Sequence, residues 1–194
     1  MKKMQWYNEP EIWTQIDGSS LSMSVTPQTD FWRETHYGFT VDDGPFYYCN
    51  VGGEFEMKVK ITGDYKTRYD QMGLMIRKDE KTWIKTGVEY VDQKIKLSAV
   101  VTIDKSDWSV IELAHNPKSI WLKVIRRIDA IEISYSLDNS NFTMMRLAYF
   151  PDNTPVMVGL TAASPDGDGF EALFEEFEIK YLPDARRKKW LSEH

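Results

Sequence analysis

The residues from Tyr69 to Thr102 alternate between apolar and polar side chains in three consecutive runs. A period of two is typical of a β-strand with one face in the core, because successive side chains point to opposite faces. Residues Lys78–Thr82 and Asp92-Gln93 separate the three runs. The pattern therefore predicts three antiparallel strands joined by two hairpins.

Closing both hairpins fixes the register of the predicted strands. The expected pairs are Arg77–Trp83, Met75–Lys85, Gly73–Gly87 and Gln71–Glu89 across the first turn, and Glu89–Lys96, Gly87–Ser98, Lys85–Val100 and Trp83–Thr102 across the second. A slip of one residue would move every side chain to the other face, so this register is strongly specified. One face is predicted to be core: Met72, Leu74, Ile76, Ile84, Thr86, Val88, Tyr90, Ile95, Leu97, Ala99 and Val101.

The opposite face combines small residues with a polar and aromatic surround. The small residues are Gly73, Gly87 and Ser98, and the surround is Gln71, Arg77, Trp83, Lys85 and Glu89. Glycine inside a strand often marks a place where another group approaches the backbone closely. Two interpretations stay open, a shallow ligand site with a charged and aromatic rim, or an ordinary solvated sheet face.

Further runs along the chain also have the pattern of strands: Leu21–Val25, Phe55–Ile61, Ile120–Arg126, Ile131–Leu137, Phe142–Ala148, Val156–Ala162 and Phe170–Tyr181. Residues Thr29–Phe46 predict a long aromatic-rich loop with no regular element, and Asp104–Asn116 predicts a connection. Ten to twelve short strands with turn signals between them predict an all-β antiparallel sandwich. We expect one domain over residues 1–194, with a leading segment at 1–20 and a basic tail at 182–194 at its periphery.

Charge and cysteine content limit the classes of partner. The net charge is −6 and no basic stripe covers the body of the chain, so we expect no nucleic-acid partner. No run approaches the ~20 apolar residues that span a bilayer, so no membrane partner is expected. The single cysteine, Cys49, excludes an intrachain disulfide. The basic N-terminus is not followed by an apolar stretch, as it would be in a secretory signal. Together with the single cysteine, this predicts a cytoplasmic protein.

Several segments resemble a single protein family, and they occur in the family's order: Thr29–Phe39, Tyr69–Asp92, Leu97–Ser109 and Val158–Ile179. In these segments the chain resembles a domain family of unknown function that includes the fungal regulation-of-enolase protein. The resemblance covers nearly the whole chain. It implies the fold of the concanavalin A-like lectins and glucanases, a jelly roll of two curved antiparallel sheets. In that superfamily the concave sheet face commonly holds carbohydrate.

The pattern and the resemblance together predict a ligand site on the face that carries Glu89. The Thr29–Phe39 loop is expected to fold over one end of this face. The candidate ligand-binding residues are Trp32, Arg33, His36, Tyr37, Gln71, Arg77, Trp83, Lys85, Glu89 and Trp108. Alternatives stay open for three of them. His36 is a base, a ligand or a structural histidine, and Trp83 and Trp108 either stack on a sugar ring or seal the edge of the core.

No catalytic residue, cofactor or metal ligand is predicted. A glycosidase needs two carboxylates at a defined separation, whereas the predicted floor offers only Glu89. Asp166 and Asp168 resemble half of a calcium loop but lack the later ligands, so a plain turn is the simpler interpretation. The chain is therefore expected to bind a small carbohydrate or sugar derivative. A protein that binds a metabolic enzyme is the alternative, and a glycoside-active enzyme is the third.

Overall fold

The computed structural model of the chain describes residues 3–151, residues 154–184 and Ser192. These residues form sixteen β-strands: β1 Gln5–Tyr7, β2 Trp13–Gln15, β3 Leu21–Ser24, β4 Phe31–Arg33, β5 Thr40–Asp42, β6 Phe46–Val51, β7 Phe55–Gly63, β8 Gln71–Asp79, β9 Thr82–Val91, β10 Lys94–Ile103, β11 Lys105–Glu112, β12 Ile120–Arg127, β13 Ala130–Ser136, β14 Thr143–Tyr149, β15 Val156–Ala163 and β16 Glu171–Tyr181.

Two seven-stranded antiparallel sheets pack face to face. Sheet A has the order β1-β6-β15-β8-β9-β10-β11, and sheet B has the order β14-β13-β12-β7-β16-β3-β2. Their inner faces enclose the main hydrophobic core, to which both sheets contribute. Burial of this apolar surface is the dominant force that holds the sheets together. The predicted all-β sandwich is confirmed.

The register predicted for the central strands of sheet A is confirmed. Gln71 pairs with Glu89 between β8 and β9, and Glu89 pairs with Lys96 between β9 and β10, with every other expected pair in place. Asp92 and Gln93 both have positive φ, as the tight turn between β9 and β10 requires. Most of the predicted core face lies in the main core, where Val88 is only 2% exposed, while Ile95 is partly buried against it and Tyr90 stacks on Tyr65.

The remaining predicted strands are also present, each within two residues of its expected limits. Phe174 is fully buried, and Phe177 and Ile179 pack against the core from the far end of β16. The β16 register shifts between Glu175 and Glu178, where Glu176 has a φ of 56°. A bulge of this kind bends the strand locally and increases its twist.

Two segments that were predicted to lack regular structure contain strands. The expected connection Asp104–Asn116 contains β11, an edge strand of sheet A. Most of its side chains are exposed, so the alternation that reveals a half-buried strand is missing. The expected loop Thr29–Phe46 contains β4 and β5, which are three residues long and too short to show a period. Residues Phe46–Val51 form β6, which was also not predicted.

The predicted periphery contributes to both sheets. Within the leading segment 1–20, β1 pairs with β6 at the edge of sheet A, and β2 pairs with β3 at the edge of sheet B. The rings of Trp6 and Trp13 meet at 5.2 Å between these two edges. The basic run Arg186–Lys189 of the predicted tail lies outside the described residues.

We expect Val88→Ala to lower the free energy of unfolding by roughly 1–3 kcal/mol, through lost burial and the cavity left behind. Val110 on β11 is 41% exposed, so Val110→Ala is the matched control and should change stability by less than about 0.5 kcal/mol. Chemical denaturation of both variants measures the difference. Equal losses would contradict the assignment of Val88 to the core.

Candidate functional site

A small hairpin covers part of the outer face of sheet A. It consists of Asp30, β4, β5 and the turn between the two strands, and is called here the cover hairpin (residues 30–42). Its Phe31 and Trp32 form a second apolar cluster with Met75, Trp83 and Val100 of sheet A. The outer face of β8 and β9 is therefore buried as well, so the solvated-face interpretation does not hold for these strands.

Two ion pairs attach the cover hairpin to the sheet. The Lys85 ammonium lies 2.7 Å from Oδ1 of Asp30, immediately before β4. Arg77 donates from both terminal nitrogens to Asp42 at the end of β5, with Nη2 2.7 Å from Oδ2. The Tyr7 hydroxyl donates to the same carboxylate at 2.8 Å. Each buried cation of the sheet thus has a carboxylate supplied by the hairpin, which offsets its loss of hydration.

Beside the cover hairpin lies a cavity of about 340 Å³, within the size range of small-molecule sites. Its lining residues are Asp30, Trp32, Tyr37, Phe39, Arg68, Tyr69, Gln71, Lys85, Glu89, Val100, Trp108, Pro165 and Asp166. Sheet A supplies the floor, and the cover hairpin supplies one wall. The facing wall consists of two segments, called here the rim loops (residues 64–70 and 164–169).

A buried aspartate fixes the rim loops. Asp70 is fully buried and accepts hydrogen bonds from the backbone N–H groups of Lys66 and Thr67, both at 2.8 Å. Its other oxygen accepts from the Ser164 hydroxyl at 2.6 Å, which joins the two loops. At the surface of the same wall, Arg68 pairs with Asp166 at 2.8 Å. The loops are held from within, so their cavity-facing side chains have a defined position.

Glu89 is the carboxyl group at the floor of the cavity, and it is 7% exposed. Its Oε2 accepts a hydrogen bond from the Trp108 indole N–H at 2.8 Å, and the same N–H lies 3.2 Å from the Ser98 hydroxyl. Burial raises the pKa of Glu89, because it disfavours the charged form. Lys85 and the two hydrogen-bonding groups oppose this shift without cancelling it.

Aromatic side chains line the mouth of the cavity. Tyr37 stacks on Phe39 at 5.6 Å and meets Trp32 edge to face at the same distance. From the rim loops, Tyr69 meets Trp108 edge to face at 6.3 Å. A hydrogen bond with Tyr37 raises the pKa of Tyr69 to about 12, together with burial. The two walls therefore touch across the mouth.

The structure brings six of the ten predicted binding residues to this cavity: Trp32, Tyr37, Gln71, Lys85, Glu89 and Trp108. The other four lie elsewhere. Trp83 and Arg77 are buried beneath the cover hairpin, where Trp83 meets Phe31 edge to face. Arg33 donates to the Asp104 carbonyl at 2.9 Å, and the exposed His36 ring contacts Tyr37.

Sequence reasoning missed seven lining residues: Asp30, Phe39, Arg68, Tyr69, Val100, Pro165 and Asp166. Asp30 and Phe39 lie within or beside the aromatic loop that was singled out, and Tyr69 precedes the first predicted strand. Nothing in the local pattern indicates that residues near position 68 and position 166 share a wall. That proximity follows from the pairing of β8 with β15, in which Gln71 lies opposite Ala163, and the Asp70–Ser164 hydrogen bond continues it into the two loops.

In the described part of the chain, no group of three or more His, Cys, Asp or Glu residues is arranged to hold a metal ion. Asp166, which lies in the segment that resembles half of a calcium loop, instead pairs with Arg68. No helix among the described residues is long and apolar enough to cross a membrane.

The two sheets, with a cavity on the outer face of one, define a lectin-like jelly-roll sandwich. A solved legume lectin-like domain from Entamoeba histolytica matches with a TM-score of 0.59 at 10% identity, covering 93% of this chain and 90% of that chain. Likeness at this level of identity shows the fold alone. It confirms the concanavalin A-like fold that the resemblance implied.

The chain belongs to the family described as protein of unknown function DUF1349, which matches residues 6–182. Regulation of enolase protein 1 from Saccharomyces cerevisiae is 37% identical over 174 residues, which cover 90% of this chain and 87% of that protein. The crystal structure of a functionally unknown protein from Saccharomyces cerevisiae matches with a TM-score of 0.88 at 35% identity, covering 93% of this chain and 97% of that one. The predicted family relationship is confirmed.

We expect Asp42→Asn to lower the free energy of unfolding by roughly 3 kcal/mol, because it leaves the charge of Arg77 buried without a carboxylate. The matched control is Asp104→Asn, since Asp104 is highly exposed and lies 4.0 Å from Arg33. That variant should change stability by less than about 0.5 kcal/mol. Chemical denaturation decides, and a small loss in Asp42→Asn would show that the ion pair does not anchor the hairpin.

We expect Trp108→Phe to raise the pKa of Glu89 further, because the indole N–H stabilises the carboxylate form. Carbon-13 NMR titration of the glutamate carboxyl groups measures the shift. Trp121→Phe is the control, since Trp121 donates at 3.1 Å to Glu176 on sheet B. An unchanged or lowered Glu89 pKa in Trp108→Phe would mean that the indole does not stabilise this carboxylate.

Proposed function

We propose that this protein binds a carbohydrate or sugar derivative in the cavity beside the cover hairpin, without converting it, as part of carbohydrate metabolism in the cytoplasm. The observation that carries the proposal is the composition of the cavity. Five aromatic side chains line it, Trp32, Tyr37, Phe39, Tyr69 and Trp108, around a floor that holds Gln71, Lys85 and Glu89.

These two kinds of side chain match the two kinds of surface on a sugar. Aromatic rings cover the apolar C–H faces of a pyranose, while amide and charged groups take its hydroxyls in fixed directions. Gln71 donates its amide N–H to the Tyr69 carbonyl at 3.1 Å, which leaves the amide oxygen as an acceptor. Glu89 adds a second acceptor at the floor. The cavity therefore offers both stacking and hydrogen bonding to one ligand.

Binding fits this cavity better than hydrolysis. The cavity does contain two further carboxylates, Asp30 and Asp166, which were not associated with Glu89 from the sequence. However, Asp30 is engaged with the Lys85 ammonium at 2.7 Å, where it helps to anchor the cover hairpin, and Asp166 is paired with Arg68 at 2.8 Å. A glycosidase requires a carboxyl pair free to act on opposite sides of the glycosidic bond. We therefore assign Asp30 to the support of the site.

Two further considerations support this function. The lectin-like fold and the relative named for regulation of enolase both fit a role connected with sugars or with the regulation of their metabolism. The cytoplasm suits a chain whose one cysteine is buried and has no other cysteine to pair with.

A protein that binds and modulates a metabolic enzyme is the second candidate. The 37% identity to Regulation of enolase protein 1 favours it. In that case the exposed aromatic mouth of the cavity, with Tyr37 and Phe39, would contact the partner. Such a partner would cover the mouth without needing Glu89 at the floor.

Isothermal titration calorimetry with a panel of mono- and oligosaccharides tests the proposal. We expect modest affinity, because the exposed mouth leaves part of a ligand in water. Glu89→Ala should weaken binding at least about tenfold, since hydrogen bonds to a charged group contribute about 1.5–3 kcal/mol. The matched control is Glu112→Ala, an exposed glutamate on β11 outside the cavity.

Two results would contradict sugar binding at this site. One is the absence of heat with every sugar, and the other is unchanged affinity in Glu89→Ala. Either result would favour the protein-partner candidate, which co-purification can then examine. Release of reducing ends from an oligosaccharide by the wild type would instead indicate hydrolysis.

A further inference from the structure

The charges of the cavity are not balanced. Three carboxylates and two cations line it: Asp30, Glu89 and Asp166, against Arg68 and Lys85. Lys85 forms its ion pair with Asp30 at 2.7 Å, and Arg68 forms its ion pair with Asp166 at 2.8 Å. Among the described residues Glu89 has no ion-pair partner, although Lys85 attracts it through space. The unbalanced charge is therefore one carboxylate at the floor.

Glu89 is also incompletely hydrogen-bonded for a buried group. Its partners are the Trp108 indole N–H, which approaches Oε2, and the neighbouring Ser98. An ionised carboxylate accepts about four hydrogen bonds, and burying one without a full set is costly. Because Glu89 lines the cavity, a ligand in the cavity can supply the missing donors.

Aromatic rings line the cavity that holds this carboxylate. Trp108 lies directly against Glu89 through its hydrogen bond, and Tyr69 lies 6.3 Å from Trp108. On the opposite wall Trp32, Tyr37 and Phe39 form a connected cluster of rings. Aromatic faces attract ammonium groups by cation–π interaction, most strongly where water is excluded. A single unpaired carboxylate inside an aromatic enclosure is the combination that recognises a cation.

We propose that the ligand carries an ammonium group, as an amino sugar does, and that this group binds at Glu89. This inference rests on the proposed function, because it names the class of sugar that the same cavity takes. The ring of the sugar stacks on the aromatic walls while its ammonium donates hydrogen bonds to Glu89. The charge of the cavity is then balanced, and the hydrogen bonds of Glu89 are completed.

Calorimetry at neutral pH with four probes tests this proposal: glucosamine, glucose, N-acetylglucosamine and choline. Glucosamine carries the ammonium, N-acetylglucosamine has the same nitrogen without its charge, and choline has a cation without a sugar ring. We expect glucosamine to bind about tenfold more tightly than either neutral sugar, because its ammonium donates charge-assisted hydrogen bonds to Glu89. Glu89→Gln should abolish that preference.

The controls separate charge recognition from a loss of folding. Glu89→Gln keeps the shape and the acceptor for Trp108, so its thermal unfolding should match that of the wild type. Glu112→Gln removes one carboxylate on exposed β11, outside the cavity, and should leave the preference for glucosamine intact. A preference that survives in Glu89→Gln overturns the assignment of the ammonium group to this residue.

The outcomes distinguish this inference from the proposed function. Equal affinity for all three sugars overturns the inference and leaves sugar binding in place. Binding of choline without any sugar supports the cation site and overturns sugar binding. No heat with any of the four probes overturns both.

Discussion

The pairing of two buried cations on sheet A with two carboxylates of the cover hairpin determines the arrangement of the site. Lys85 and Arg77 point out of the sandwich, and neither is hydrated as a surface side chain would be. Asp30 and Asp42 stand at the two ends of the hairpin, so each end is attached to one cation. The hairpin is thereby held across the sheet. It divides the outer face into a dry apolar cluster around Trp83 and an accessible cavity around Glu89.

Close packing of the hairpin depends on residues without side chains. A Cβ on Gly44 would lie 2.6 Å from the ring of Phe31, so the chain after β5 reaches this ring only as glycine. Between β8 and β9, a Cβ on Gly73 would meet the Thr86 carbonyl oxygen at 2.0 Å. Phe31 borders the small space above Gly73 and Gly87. The glycine pair does mark a close approach, and the approaching group is the backbone of the neighbouring strand, since a Cβ on Gly87 would in turn meet the Met72 carbonyl oxygen at 2.0 Å.

The limits of sequence reasoning follow from the range of the interactions involved. The β8–β9–β10 register was predictable because the alternation is local and a slip would expose the core face. The fold class followed from the number of strands and from the family resemblance. The division of the outer face was not predictable, because it depends on contacts between distant positions, such as Lys85 with Asp30 and Ser164 with Asp70. Arg77 and Lys85 are both polar positions on the outer face in the alternating pattern. Only their contacts with distant residues show that the cover hairpin buries Arg77, whereas Lys85 borders the cavity.

Depth within the cavity separates the functions that this site can support. The mouth carries exposed aromatic rings at Tyr37, Phe39 and Trp108, which a protein partner and a sugar could both cover. The floor is different, because Glu89 is buried and is reached only by a ligand small enough to enter. A carboxyl group whose pKa is raised by burial is disfavoured as a charge in the unliganded protein. A ligand that brings a positive charge or several donors to Glu89 relieves this cost, whereas a protein resting on the mouth does not. The cost of burying the Glu89 charge therefore favours a small ligand at the floor over a partner confined to the mouth.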